Sequence, residues 1–342
     1  MRAIIKNSIF FVSKYLGLFA VSRAFMKNKI RVLCYHGFTM QDEHLNVPGL
    51  FIEPGEFERR LKYLKRKGYQ VVSLEEAFQN IKQGVAKNNQ VVITIDDGYF
   101  SVLKEAAPLL KEHQYPSTLY LTSYFFNKDC PVFTLAVGYM LWKSNKTHAD
   151  FSILNIPALN EYLHSELTSE NKNKIAILIK EFGQPLKGNE KRVEILKKLG
   201  EVLGVDYQQL NQQRLFNLVK KDELSELLDQ GVDIQMHTHR HTFPVSYDIS
   251  QKEIQDNKTA INPLLAKPMK HFCYPSGVWS TKHWKILEDE EIATATTCVT
   301  GMVDEKSDYL AWPRILDSSR VSQIEFEAEI SGFNELIRKI RS

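Results

Sequence analysis

The sequence predicts an α/β fold, a parallel β/α barrel interrupted by a helical insertion, and three observations predict it. Short β-branched runs alternate with helical runs in both halves of the chain, the pattern of a parallel sheet or barrel with its chemistry at the C-terminal ends of the strands. Residues 91–98, Val-Val-Ile-Thr-Ile-Asp-Asp-Gly, read as a buried strand ending on two adjacent carboxylates. Between about residues 126 and 218 the alternation stops, and a strandless stretch of roughly ninety residues is far longer than an ordinary loop.

Residues 1–28 form a basic amphipathic segment, with Ile5, Ile9, Val12, Leu16 and Phe19 at helical spacing and Lys6, Ser13, Lys14 and Gly17 on the other side. Lys14 and Arg23 keep every apolar run below the roughly 18 to 20 residues of a spanning helix. The segment reads as an interfacial helix at a membrane surface or as a helix packed on the outside of the domain. The lysine in the apolar run and the lack of a small-x-small site argue against a signal peptide. Residues 29–36 give the first strand. Residues 54–67 give a helix on Phe57, Leu61 and Leu64, and Ser73 caps another at 74–82 after a short strand. The Asp-Asp strand, a helix at 99–111 and a strand at 117–123 follow. In the insertion, helical runs cover 134–143, 171–182 and 190–203. Beyond it come a helix at 222–230, a strand at 232–236 and a helix opened by a Ser250/Glu253 capping box. Strands at 271–274, 294–300 and 310–315 and a helix at 322–340, weakest at Gly332, complete the chain.

Across 342 residues, hydrophobic content of 43% and charged content of 25% are those of a globular chain and exclude a disordered one. The net charge of +3 hides an asymmetry: residues 1–41 hold seven Lys or Arg and no acid, leaving 37 basic against 41 acidic residues elsewhere. A basic excess confined to one segment argues against a nucleic-acid-binding surface. Cys34, Cys130, Cys273 and Cys298 show no CxxC spacing and read as free thiols of a reducing compartment, although their even number keeps disulfides open. These features point to the cytoplasm or the inner face of the cytoplasmic membrane, with secreted or periplasmic placement left open.

The chemistry gathers at two strand ends. Ionised carboxylates at a core strand's tip need a cation, a hydrogen-bond network or a cleft, although Asp97 is also a plausible helix cap. His237 and His241, four apart after the strand at 232–236, present both imidazoles to one side of a helical turn. Two histidines and a carboxylate make a three-ligand set with an open position, which suits a catalytic divalent metal and zinc in particular.

These motifs resemble those of the polysaccharide deacetylases with the NodB-homology fold. Thr94-Ile95-Asp96-Asp97-Gly98 looks like that family's Thr-Phe-Asp-Asp-Gly, and His237-Thr238-His239-Arg240-His241 like its His-Ser/Thr-x-x-His. Cys273-Tyr274-Pro275-Ser276-Gly277 is similar to its Arg-x-Pro-Tyr-Gly. The similarity covers about residues 29–125 and 218–315. It implies a distorted NodB-type barrel over 29–320, interrupted at about 126–218 and followed by a C-terminal helix at 321–342. The implied reaction is removal of the N-acetyl group of an amino sugar, in a polysaccharide or lipid-linked glycan of cell-envelope or exopolysaccharide biosynthesis. Carried over by resemblance, Asp96 is the general base, and Asp97, His237 and His241 hold the metal. Cys273 stands where many members have an arginine that orients the base, so Arg314 is the expected substitute. The family's Leu-x-His motif is not visible, so His36 is the expected general acid, with His239 and His283 as alternatives. Backbone N–H groups around Ser276 are expected to face a developing oxyanion. Tyr274 and Trp312, with Tyr99 and Trp279, are candidates to stack on a sugar or to serve as core. The rival activities are deformylation or O-deacetylation of a lipid-linked sugar, and, outside enzymes, a non-catalytic glycan-binding barrel.

Overall fold

The computed structural model describes residues 2–186 and 188–341; Met1 and Ser342, at the ends of the terminal segments, and Lys187, in the insertion, lie outside the described residues. Seven strands form the core: β1 (Arg31–Tyr35), β2 (Gln90–Asp97), β3 (Ser117–Leu121), β4 (Val232–Met236), β5 (His271–Cys273), β6 (Thr294–Thr300) and β7 (Trp312–Leu316). Each pairs in parallel with its neighbours in sequence, and β7 pairs with β1, so the sheet closes into a barrel. Closure leaves both strand faces covered, which is why β1 and β3 are buried at every position. Alternation along the strands still sorts the side chains. Val32, Val92, Tyr120, Cys273 and Trp312 share one cluster, while Leu33, Ile93, Leu119, Phe272 and Ile315 belong to the larger core. The short strand before residue 74 is Gln70–Val71, and it joins the lower end of β2, where Val91 has Arg31 on one side and Val71 on the other.

The surrounding helices follow their sequence signals with one local departure. Helix Pro54–Arg66 buries Phe57, Leu61 and Leu64, and Ser73 Oγ accepts from the Glu76 N–H (3.1 Å) to cap Leu74–Lys82. The helix expected from residue 99 instead begins as a π turn, Val102–Ala106, before Ala107–His113. Pro108 has no N–H and its ring opposes the carbonyl four residues back, so the regular ladder cannot run through it.

The insertion has its own apolar core, in which Phe133–Lys143, Ser169–Gly183 and Glu190–Leu203 bury Met140, Ile175 and Leu199, and Phe51 and Phe216 belong to the same cluster. It is not strandless as expected. His148–Asp150 pairs antiparallel with His164–Glu166, and three residues are too few to show a period of two. Its return joins the mouth of the barrel, since Val219 N–H donates to Gly98 O and Phe100 N–H to Asn217 O.

The N-terminal segment is two helices rather than one, Arg2–Tyr15 and Leu18–Phe25, bent by 77° at Gly17, whose φ is 77°. The stripe singled out by periodicity is buried only at Phe19. Phe10 and Phe19 pack on Ile324, Ala328 and Phe333 of the C-terminal helices, whereas Ile5, Ile9, Val12 and Leu16 are exposed. Lys6 and Lys14 point inward to Glu325 (2.8 Å) and Glu327 (2.5 Å), so ion pairs fix which face meets the body. The C-terminal helix likewise breaks at Gly332 into Gln323–Ser331 and Phe333–Arg341. All four cysteines are free.

Candidate active site

The site lies where β2 and β4 end. Asp96 is inward-facing and buried, and Asp97, the next residue, adopts φ 71°, a left-handed conformation that breaks the strand's alternation. His237 and His241 do not sit on a helix. Thr238 (φ 62°) and His241 (φ 56°) are both left-handed, and the irregular turn they make brings the two rings to 4.9 Å between centroids. His237 Nε2 and His241 Nε2 each lie 3.2 Å from Asp97 Oδ1. His237 Nδ1 is 2.9 Å from Cys273 O, which can only accept, so Nδ1 carries a proton and donates it, and the Nε2 lone pair is available to a metal beside Asp97. Asp97 Oδ1 is buried and takes part in no aligned hydrogen bond. An orphaned carboxylate oxygen flanked by two imidazole nitrogens fits a divalent cation held by three protein ligands.

Asp96 has a different environment. Arg314 meets it with both prongs, Nη1 to Oδ1 and Nη2 to Oδ2, each at 2.7 Å. The guanidinium is itself aimed by Nε donating to Thr297 O (2.8 Å) and Nη1 to Thr94 Oγ1 (3.2 Å). Burial raises the Asp96 carboxyl, and Arg314 outweighs it to hold the group well below the usual carboxylate range. Burial also raises Asp97, and the imidazoles of His237 and His241 overcome it in the same direction. His36 Nε2 reaches to 3.8 Å of Asp96 Oδ2, and Cys273 Sγ lies 3.3 Å from the same oxygen.

Two expected sugar contacts are core instead. Trp312 is fully buried among Val32, Val92 and Tyr120 below the mouth, because its position on β7 points inward. Tyr274 is also fully buried, packs on Phe272, and donates its hydroxyl to Leu310 O (2.9 Å). Ser276 is exposed with φ 56° on the turn after β5, so its backbone rather than its side chain is shaped by that turn. His283 is buried against Phe243 and Tyr274, and Ser280 N–H donates to its Nδ1, so it does not join the carboxylates. His239 Nδ1 is 2.8 Å from Ser123 Oγ.

Sequence reasoning missed one supporting residue, Asn257, and gave two others, Glu253 and Tyr99, different roles. Buried Asn257 donates through Nδ2 to Thr238 O (2.8 Å), Leu121 O (3.0 Å) and Ser123 Oγ (3.0 Å), tying the histidine turn to the end of β3. Glu253 is no helix cap. The helix starts earlier, at Tyr247, and Glu253 accepts from Arg240 N–H (2.6 Å) and Nη1 (2.7 Å). Tyr99 is buried with its hydroxyl on Asp97, which raises the phenol after burial has done most of that. Only the helical spacing of Glu253 and Asn257 hinted that they share a face.

Residues 205–295 match the family described as Polysaccharide deacetylase, a stretch that contains His237, His241 and the Pro-Ser-Gly turn. Over that stretch the chain is similar to the polysaccharide deacetylases. The chain is 32% identical over 94 residues to the Bacillus subtilis (strain 168) protein YxkH, which carries a provisional polysaccharide deacetylase name. The matched stretch covers 27% of this chain and 32% of that relative. Among solved structures, the Streptococcus pyogenes deacetylase PplD in complex with acetate aligns with a TM-score of 0.58 at 16% identity, covering 89% of this chain and 99% of that one. A de-N-acetylase from Aggregatibacter actinomycetemcomitans aligns at 0.55 and 14% identity, covering 88% and 99%. At those identities the structures establish the shared fold.

Proposed function

We propose that this protein is a polysaccharide deacetylase, a metal-dependent hydrolase that removes the N-acetyl group from an amino sugar of a glycan. The observation that carries the reading is the convergence of Asp97 Oδ1, His237 Nε2 and His241 Nε2 beside a carboxylate locked by Arg314. A divalent ion, for which zinc suits the donor set, supplies Lewis acidity toward an acyl carbonyl and acidifies water there. Arg314 fixes the plane of Asp96 and keeps it ionised, so Asp96 is the oriented acceptor for a proton from the attacking water. His36, beside the same carboxylate, is the group placed to hand a proton to the departing amine. A backbone N–H of the turn at Ser276 is the second donor for the developing oxyanion. Residues 126–218, which reach the mouth at Gly98 and Phe100, serve as a wall of the glycan cleft.

Support for the acetyl group comes from the names of the similar structures, a deacetylase with acetate and a de-N-acetylase. A lipid-linked glycan, met in the cytoplasm or at the inner membrane face, is the substrate form proposed from the basic N-terminal segment and the free thiols. The test is metal analysis of the purified chain together with acetate and formate release from amino-sugar oligomers and lipid-linked sugars. Acetate release by the metal-loaded chain is expected. Formate release instead would move the activity to deformylation. Full activity in Asp97→Ala would sink the metal assignment, and a metal-binding chain inert on every substrate would favour a glycan-binding barrel.

A further inference from the structure

The N-terminal helices expose a face that no other described residue covers. Tyr15, Leu16 and Phe25 are 86%, 71% and 77% exposed, and Ile5, Ile9 and Val12 each lie more than half open. Scattered apolar residues are ordinary on a surface, but these fall on one bent helix pair. The outward orientation is held in place from behind. Phe10 and Phe19 meet the Phe333 ring at 6.2 and 5.2 Å, and Lys6 and Lys14 are ion-paired to the C-terminal helix, so the pair cannot roll its apolar side inward without losing those contacts. Between the first helix and Phe333–Arg341 runs a groove of about 460 Å³, lined by Ile5, Ile9, Phe10 and Ile337, with Lys6 and Arg338 at its polar rim.

Charge selects the occupant. Residues 1–29 carry six Lys or Arg and no acid; Lys6, Lys14 and Lys29 are paired to Glu325, Glu327 and Asp304, which leaves a surplus of three basic residues in the segment, whereas the remainder of the chain is net negative. A second copy seated face to face would set two such basic segments against each other, while an anionic bilayer surface is complementary to one. No described helix is long and apolar enough to cross a membrane, and the 77° bend at Gly17 suits two short legs lying in an interface. We infer that the helices Arg2–Tyr15 and Leu18–Phe25 dock the protein on a bilayer containing anionic lipid, with the exposed apolar face among the head groups and upper acyl chains and an acyl chain accommodated in the groove against Ile337. The docking does not depend on which acyl group the barrel removes.

The experiment is vesicle co-sedimentation of the full chain, using phosphatidylcholine alone and phosphatidylcholine with phosphatidylglycerol. Binding is expected to the anionic vesicles, weaker to the neutral ones and falling as salt rises. The double substitution Val12→Glu and Leu16→Glu should lower partition by more than about a hundredfold, because two apolar side chains are withdrawn and two negative charges added. Its thermal melting and metal content should match the wild type, since both positions are exposed and outside the site. Wild-type chain that binds neither vesicle, or a double variant that binds as the wild type does, overturns the inference. So does a dimer abolished by the same substitutions with no lipid binding, which would make the face a protein interface. Failure of acetate release in the earlier assay leaves this result untouched, because partition is read without turnover.

Discussion

The two ends of the barrel both place histidine beside a carboxylate, and they do so to different effect. At the floor, His271 opens β5 with Nδ1 2.8 Å from Thr294 Oγ1 and Nε2 3.0 Å from Glu75 Oε2, so each nitrogen has one partner. At the mouth, the Nε2 atoms of two histidines converge on one buried oxygen that no aligned hydrogen bond satisfies. The floor cluster closes on itself and holds β5, β6 and helix Leu74–Lys82 together. The mouth cluster leaves donor atoms facing one another, and that frustration costs stability unless something else occupies it. A histidine next to an acid is therefore not informative until each nitrogen's partner has been counted.

The contrast can be broken most sharply by Asp97→Ala or His237→Ala, each expected to abolish metal retention and lower turnover on the order of 10³-fold or more, read by metal analysis and acetate release. Asp96→Asn should lose turnover by about 10²- to 10⁴-fold while keeping its metal, which separates the two adjacent carboxylates. In Arg314→Lys the two-pronged grip is lost, so kcat should fall by roughly 10²-fold, again with metal retained. Metal affinity should weaken as pH falls. Burial lowers the His237 imidazole, but Asp97, Asp96 and the Cys273 carbonyl together raise it above the ordinary value, so the site holds its proton to a higher pH than an ordinary histidine and metal binding must displace it. Titration of metal binding against pH, with proton release followed, checks this.

The floor should respond only in stability. His271→Ala is expected to cost about 1–3 kcal/mol in denaturant unfolding with metal content unchanged. Glu75→Gln gives the smallest effect, because Glu75 is partly exposed. The His271 bond, against some desolvation, brings the Glu75 carboxyl down to about 2 from 4.5. A depressed native pKa adds stability above the unfolded value, so the difference between wild type and variant should be present above about pH 4.5 and fade as pH falls toward 2.

Local signals made much of this molecule readable in advance. The β-branched runs announced the barrel strands because a closed parallel sheet buries both faces, and Ser73 and Pro54 marked helix starts by satisfying or lacking an N–H. The carboxylate pair and the two histidines were legible because each directly follows such a strand. Arg314 was expected from the resemblance, because Cys273 stands where many members have the arginine that orients the base. What failed were inferences about partners. Trp312 and Tyr274, open to either a sugar or the core by their place near the mouth, are put in the core by strand alternation and the packing of the next helix. Glu253 was read as a cap because its spacing from Ser250 is that of one, whereas its partner is a backbone N–H thirteen residues upstream.

The sequence by itself determined the order of the barrel strands, the positions of the four site residues at strand ends, and the presence of one basic amphipathic end. Those features depend on contacts within a few residues along the chain, where composition and spacing are sufficient. Tertiary structure decided that Asp96 and Asp97 face different partners one residue apart, since a left-handed φ at Asp97 is stabilised only by the assembled mouth. It also decided which face of the N-terminal helices looks outward, because amphipathicity identifies a face that favours burial, and only Phe333, Glu325 and Glu327 could select the one that was buried.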